Sequence, residues 1–246
     1  MLLEGCQHFY ANNIFTVDDW LPRSSAELIT AFLLGLGHCG VDRLEEIACW
    51  ERVDESEVAR LRPAHFTNLS PAAAETIDLA DSSVDVVFSM AVFEHVSDPS
   101  AVLANTFRVL KPGGWCFHAI DLRDHRDFSR PLEFLKLSDK SYRQACPQGE
   151  NRWRASDFLQ ACVETGWQVE RAQFIDEALR LAGAKCTDAW FHLHHQQPIR
   201  TSLTAFPPSV SPQLRASFAE PFCKKSLQDL SVLSMSLSCR KGAIAA

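Results

Sequence analysis

Apolar residues in the middle of the chain follow two spacings, and each spacing predicts a different element. A nearly continuous apolar run, VDVVFSMAV at 84–92, predicts a strand buried in a parallel sheet. Helical spacing begins at Asp98 and Pro99 and stops at LKPGG, where Pro112 cannot continue a helix. A second apolar run at 115–122 predicts another strand. Strand, helix and strand in this order predict one right-handed βαβ unit.

The alternation continues toward the C-terminus. SDFLQACVET at 156–165 predicts a helix capped by Ser156 and ended by Gly166. WQVERAQFI at 167–175 and the tail at 229–241 alternate with period two, which predicts two strands. Residues 180–221 contain five prolines and predict a loop-rich insertion. Together these elements predict an open α/β sheet in a single domain spanning 1–246.

Composition narrows the class of protein. The formal charge of −7 argues against a general nucleic-acid binder, which would more often be basic. No apolar run approaches about eighteen residues, so we expect no transmembrane helix. The nine cysteines are scattered without a C-x-x-C pair, which argues against a disulfide framework or a structural zinc site. Thiols used as small apolar residues, and a start without a secretory signal pattern, predict a cytoplasmic location.

The hexapeptide GLGHCG at 35–40 fits the G-x-G-x-x-G pattern of a dinucleotide-binding loop. Such a loop must follow a strand and open a helix. Here the preceding SSAELITAFLLGLG predicts a helix, and the following VDRLEEIACW predicts a loop that leads into a strand near 44–50. The glycines are therefore predicted to end the first helix, and an NAD(P)-dependent oxidoreductase becomes the third hypothesis.

Three segments in order resemble class I S-adenosylmethionine-dependent methyltransferases: SSVDVVFS at 82–89, VFEHVSDP at 92–99 and RVLKPGG at 108–114. HAIDLRDH, PLEFLKLSD and NRWRASDFL resemble one bacterial branch of that family. The resemblance implies a doubly wound, mostly parallel, Rossmann-like sheet of seven strands with an antiparallel last strand. It also implies the cofactor S-adenosyl-L-methionine, bound at the carboxyl ends of the strands.

The resemblance also implies particular cofactor-binding residues, namely Asp19, Ala74, Glu75, Met90 and Glu94. Asp19 takes the place of the acid in the first family motif, but Leu21 and Arg23 occupy glycine positions, where side chains obstruct the backbone's approach to the cofactor. Ala48 and Cys49 stand where the ribose-binding acid is expected, with Glu51 or Asp54 as substitutes in a shifted register. Ala73 stands where the adenine-binding acid is expected, with Glu75 or Asp78 as substitutes.

Polar residues follow the two strongest predicted strands and form the candidate catalytic set: His95, Asp121 and His125. Imidazole titrates near neutrality, so His95 could orient an acceptor or take its proton. Arg123, Asn151 and Arg152 are the candidate substrate-binding residues. The alternatives are a local cap at His95, a solvated ion-pair loop after 121, and a surface loop at 151–152. The run FHLHH at 191–195 lacks carboxylate or cysteine partners, so no metal site is predicted.

The leading hypothesis is an S-adenosylmethionine-dependent methyltransferase acting on a small-molecule acceptor through an oxygen, nitrogen or carbon nucleophile. The alternative is a catalytically silent methyltransferase-like domain that serves as a binding or partner module, which the missing glycines favour. The expected partner is a small-molecule substrate, without nucleic acid or membrane partners. The sequence leaves the oligomeric state open.

Overall fold

The structure is a computed structural model that describes residues 9–11, 50–52, 59–61, 66–69, 72–147, 150–175, 202–206 and 208–242. The chain divides into two units, Met1–Ala73 with Ala184–Gln197 and Ala74–Gly183 with Pro198–Ala246. In the first unit, β1 (Phe9–Ala11) pairs in parallel with β4 (Phe66–Asn68), and β2 (Trp50–Arg52) pairs antiparallel with β3 (Ala59–Leu61). Asp19, GLGHCG and the predicted first helix lie outside the described residues. The single-domain assignment stays a prediction.

The second unit alternates strands and helices. Its elements are β5 (Val84–Met90), α1 (Pro99–Val109), β6 (Leu110–Asp121), α2 (Asp139–Ala145), α3 (Ala155–Thr165), β7 (Trp167–Ile175), α4 (Pro212–Ala216), α5 (Leu227–Ser231) and β8 (Ser234–Lys241). Short 3-10 turns lie at Ala74–Thr76, Phe93–His95, Glu133–Lys136, Leu203–Ala205 and Phe222–Lys224.

The four strands of the second unit form one sheet in the order β5-β6-β8-β7. β5 and β6 are parallel, and β8 runs antiparallel to both β6 and β7. The predicted α/β sheet, the parallel pair and the antiparallel last strand are therefore confirmed. The count of seven strands is not confirmed, because this sheet has four strands in the part of the chain that the structure describes.

Helix α1 begins and ends as the sequence predicts. The Asp98 side chain accepts a hydrogen bond from Ala101 N at 3.1 Å, and Pro99 occupies the first turn, where it has no intrahelical N–H to lose. β6 starts at Leu110, earlier than the predicted 115, because Leu110 already pairs with Val84. The pairing register then shifts, and Gly113, with φ of 81°, allows the turn that accommodates this shift.

Two predicted boundaries are wrong because distant residues decide them. Ser156 does not cap α3: the helix begins at Ala155, with Arg154 as its N-cap residue, and Asp157 accepts a hydrogen bond from Arg154 N. The Ser156 hydroxyl instead donates to Asp229. Asp229 is therefore held in α5, and the last strand begins at Ser234 rather than at 229. Gly166, with φ of 91°, ends α3 in the left-handed conformation, as predicted.

The main core packs the sheet against α1 and α3. Its fully buried members include Leu103 from α1, Phe158 and Cys162 from α3, and Ile120 and Met235 from the sheet. A second cluster joins the Glu133–Lys136 turn, α2, α5 and residues 210–222. The described part of the predicted insertion at 180–221 therefore contains helix α4 and buried side chains. None of the helices that the structure describes could cross a membrane, being too short and too polar.

Candidate functional site

A polar pocket lies where β5 and β6 end. The turn after β5 supplies Glu94, and the loop after β6 supplies the stretch from Asp121 to His125. Because the two strands are parallel, their carboxyl ends meet at one edge of the sheet. We call this the edge pocket; it is lined by Glu94, Asp121, Leu122, Arg123, His125, Phe134, Tyr142, Glu150, Asn151, Trp153 and Phe158.

Asp121 anchors the polar side of the edge pocket. Arg123 Nε donates to both carboxylate oxygens of Asp121, at 2.8 and 3.0 Å, and its Nη2 also donates to Oδ2. His125 Nε2 lies 3.5 Å from the same Oδ2 atom. Burial alone would raise the pKa of Asp121, but the contacts with Arg123 and His125 outweigh burial and hold it well below its ordinary value. Contact with Asp121 in turn raises the pKa of His125.

Glu94 is the unusual group of the edge pocket. Its residue is 8% exposed, and neither carboxyl oxygen has a hydrogen-bond partner among the described residues. Burial raises the pKa of Glu94 to about 8, and the neighbouring negative charge of Asp121 adds to that rise. A buried carboxyl without donors is costly, so these two oxygens are suited to a bound ligand that brings donors or positive charge.

His95 follows Glu94 in the chain and contacts two residues of the pocket lining, His125 and Glu150. Its Nδ1 lies 3.2 Å from Oε1 of Glu150, and its ring packs edge-on against the ring of His125, with centroids 4.9 Å apart. The fold therefore brings the three predicted catalytic residues, His95, Asp121 and His125, into one cluster. His95, His125 and Glu150 can each offer a ligand atom to a metal ion. Sequence patterns gave no signal for Glu150.

The predicted substrate-binding residues have different surroundings. Arg123 lies in the edge pocket, bound to Asp121 and stacked on Phe128 at 4.6 Å. The Asn151 amide donates to the carbonyls of Phe93 and Val96, at 2.6 and 2.9 Å, which fixes the turn that carries Glu94.

Arg152 contacts Phe134 and Tyr142, two residues of the edge-pocket lining. It donates to the carbonyl oxygens of Phe134 and Leu137, at 3.1 and 2.6 Å, and pairs with Asp139. Its guanidinium also stacks on the Tyr142 ring. These contacts use the Arg152 donors within the protein, so the structure gives this side chain a positioning role, and its substrate-binding role stays a prediction.

The predicted cofactor residues are divided between two places. Glu94 faces the edge pocket, whereas Ala74 and Glu75 lie along α1: Ala74 O accepts from Asn105 Nδ2 at 3.2 Å, and Glu75 Oε1 accepts from Ser97 Oγ at 3.3 Å. Met90 is the last residue of β5, where the edge pocket begins. Asp19 lies outside the described residues, so its cofactor role stays a prediction.

Arg154 is a buried structural residue behind the site, and the sequence did not signal it. It is fully buried, and its guanidinium donates to the carbonyls of Leu122, Leu230 and Val232. Burial lowers its pKa to about 10. Arg154 thereby ties the loop that begins at Leu122 to the segment between α5 and β8. No periodicity signals such a residue, because arginine is almost never fully buried.

In open α/β sheets, ligands bind in the crevice at the carboxyl ends of the strands, which is where the edge pocket lies. Residues 30–118 match a family described as methyltransferase domain. A curated relative, ubiquinone biosynthesis O-methyltransferase from Leptothrix cholodnii, is 29% identical over 94 residues, which span 36% of this chain and 38% of that protein. These matches support the resemblance to class I S-adenosylmethionine-dependent methyltransferases over residues 30–118, about a third of the chain.

Solved structures with a related arrangement are more distant. Geranyl diphosphate methyltransferase in complex with S-adenosylmethionine is 12% identical, with 96% of this chain and 69% of that chain covered and a TM-score of 0.45. Geranyl diphosphate C-methyltransferase from Streptomyces coelicolor is also 12% identical, with 72% and 53% covered and a TM-score of 0.41.

Proposed function

We propose that the chain is a methyltransferase that binds S-adenosylmethionine and transfers its methyl group to a small molecule bound at the carboxyl ends of β5 and β6, beside the edge pocket. The observation that carries this proposal is the buried Glu94, whose two carboxyl oxygens have no partner within the described structure, beside a cluster of imidazoles. The family match covers the strand and turn that place Glu94.

The cofactor, when bound, supplies a methyl group already activated on a sulfonium. The contribution of the chain is then alignment of the acceptor and removal of its proton. Glu94 is placed to balance the positive charge of the cofactor or to accept its donors. His95 and His125 are placed to take a proton from a hydroxyl acceptor as the bond from methyl to sulfur breaks and the bond from methyl to oxygen forms.

Asp121 and Asn151 support this chemistry without reacting. Asp121, held by Arg123, fixes His125 and favours its protonated form, which matches a group that must receive a proton. Asn151 donates hydrogen bonds to carbonyls on either side of Glu94 and so fixes the position of the turn. Both residues hold other groups of the edge pocket in place.

The test begins with binding, because cofactor binding separates the enzyme from a silent module. Purified protein is titrated calorimetrically with S-adenosylmethionine. We expect binding that weakens at least about tenfold in E94Q, which corresponds to about 1.4 kcal/mol. The matched control is E170Q, since Glu170 is exposed on β7. No binding up to millimolar concentration would overturn the proposal and favour the silent partner module.

Methyl transfer is then followed with labelled S-adenosylmethionine and a set of small hydroxylated and amine acceptors. For the acceptor that is methylated, H95N and H125N are compared at saturating substrate. Loss of the general base lowers kcat by about 100-fold or more, so one of the two variants should show that loss. Unchanged kcat in both variants would contradict the base role.

A further inference from the structure

We propose that His95, His125 and Glu150 form a binding site for one divalent transition-metal cation. One side-chain nitrogen from each histidine and one carboxylate oxygen of Glu150 lie within 4.8 Å of one another. The site lies at the edge pocket, and binding of the cation itself does not depend on the proposed methyl transfer.

One ligand distance already suits a first coordination sphere. His95 Nδ1 and Glu150 Oε1 are 3.2 Å apart. Two ligands that each lie about 2.0–2.1 Å from a tetrahedral zinc ion are about 3.3 Å apart. The three ligand atoms together lie within 4.8 Å of one another, so the His125 ring must move toward the other two ligands when a cation binds. The ligands come from three segments: the turn after β5, the loop after β6 and the loop before α3.

Residues next to the three ligands hold them in position, as the outer partners of metal ligands do in known sites. Asp121 Oδ2 lies 3.5 Å from His125 Nε2, and a carboxylate behind a histidine is the usual outer partner of a metal-binding imidazole. Asn151, which follows Glu150, is bonded to the carbonyls of Phe93 and Val96 on either side of His95. Two of the three ligands are therefore connected by one hydrogen-bonded amide.

Three carboxyl groups belong to the lining of the same pocket. They are Glu94, Asp121 and Glu150, and Arg123 is the one guanidinium of the described lining, paired with Asp121. The buried oxygens of Glu94, which lack partners in the described chain, lie in the same pocket.

The ligand set also selects the kind of metal. Two imidazoles and one carboxylate suit zinc, cobalt, iron or nickel, whereas magnesium and calcium prefer oxygen alone. Three protein ligands leave a position open, as in sites that bind a reactant. His95 and Glu150 side chains are both 26% exposed, so a cation can enter. If the proposed function also holds, the open position would bind an acceptor oxygen and lower the pKa of its hydroxyl, in place of direct proton removal by the two metal-bound imidazoles.

Cobalt(II) is the probe, because its visible absorption reports coordination and calorimetry gives the stoichiometry. Full-length protein with reduced thiols is titrated without cofactor. We expect one equivalent that is lost in E150Q and again in H125N, and retained in E170Q, whose glutamate is exposed on β7. A variant with His192, His194 and His195 replaced by asparagine must also retain it, since these histidines form a separate cluster in the sequence.

The proposal is overturned if E150Q and H125N bind as much cobalt as the wild type, or if the equivalent disappears with the three histidines at 192–195. Thermal unfolding of each variant separates lost coordination from lost folding. Titration of S-adenosylhomocysteine in the presence of a chelator tests the proposed function separately. Cofactor binding without cobalt binding refutes the metal site alone, and the reverse result refutes the methyltransferase proposal alone.

Discussion

The buried imidazole of His118 makes the acid stability of the fold a direct test of the packing behind the edge pocket. The residue is 2% exposed on β6, and its ring packs edge-on against Phe93 with centroids 4.7 Å apart. A hydrogen bond of 2.8 Å joins its Nδ1 to Ser89 Oγ, and Nε2 has no partner within the described structure. Burial without an acid partner lowers the pKa of His118 from 6.5 to about 3.

The sign of the pH dependence of stability follows from which state of the chain, folded or unfolded, binds the proton. Below pH 6.5 the unfolded chain protonates His118 while the folded chain keeps it neutral, so the free energy of unfolding falls as the pH falls. Each pH unit of that interval costs about 1.4 kcal/mol. Between pH 6.5 and 5 His118 therefore removes about 2 kcal/mol of stability, and the loss reaches about 5 kcal/mol near pH 3.

The perturbation is H118N, which keeps a polar group of similar reach and cannot titrate. Urea unfolding is followed by tryptophan fluorescence at pH 7, 6 and 5 for both proteins. The difference between the two free energies of unfolding removes the contribution of the other titrating groups. It should change by about 2 kcal/mol in favour of H118N between pH 6.5 and 5. The control S89A removes the hydroxyl and leaves the imidazole, so it should keep the wild-type slope. A difference that does not vary with pH would refute the reasoning.

Three further predictions concern single residues. Between pH 5 and 7, the free energy of unfolding of E94Q should rise by about 3 kcal/mol relative to that of the wild type, measured by urea unfolding without metal. The reason is that the Glu94 pKa is raised from 4.5 to about 8, so its ionisation destabilises the folded state. Equal pH slopes of the two proteins would contradict this. In the same assay, the free energy of unfolding of R154K should be about 3 kcal/mol lower than that of the wild type, because lysine cannot reach all three carbonyls that Arg154 binds. A decrease below about 1 kcal/mol would count against that network. G114A should lower the free energy of unfolding by about 2 kcal/mol, because its Cβ would lie 2.9 Å from Asp85 O and Lys111 O. A variant as stable as the wild type would show that the turn shifts freely.

The sequence predicts the sheet well where local pattern decides. β7 occupies the predicted residues 167–175, and β5 covers Val84–Met90 of the predicted 84–92. Both follow from apolar runs bounded by glycine, proline or acidic residues. The ends of β6 and β8 were predicted less well, because the pairing of Leu110 with Val84 and the bond from Ser156 to Asp229 are tertiary contacts.

The candidate site divides in the same way. Parallel strands bring their carboxyl ends together, so the meeting of His95, Asp121 and His125 could be predicted from strand order. Glu150 reaches His95 across 55 residues through a loop without regular pattern, and no local rule anticipates that contact. Arg154 was missed for another reason, since its burial depends on three backbone carbonyls that only the folded chain assembles.

His118 and Glu94 together predict how ligand binding changes the stability profile. Burial makes His118 destabilising below pH 6.5 and Glu94 destabilising above pH 4.5, so the two slopes oppose each other between these values. Above pH 6.5 the Glu94 slope acts alone until about pH 8. A bound cation or cofactor that balances Glu94 should remove that decline, so ligand should raise the unfolding temperature more at pH 8 than at pH 6. Thermal unfolding with and without S-adenosylmethionine or cobalt measures this difference, and equal increments at both pH values would show that neither ligand reaches Glu94.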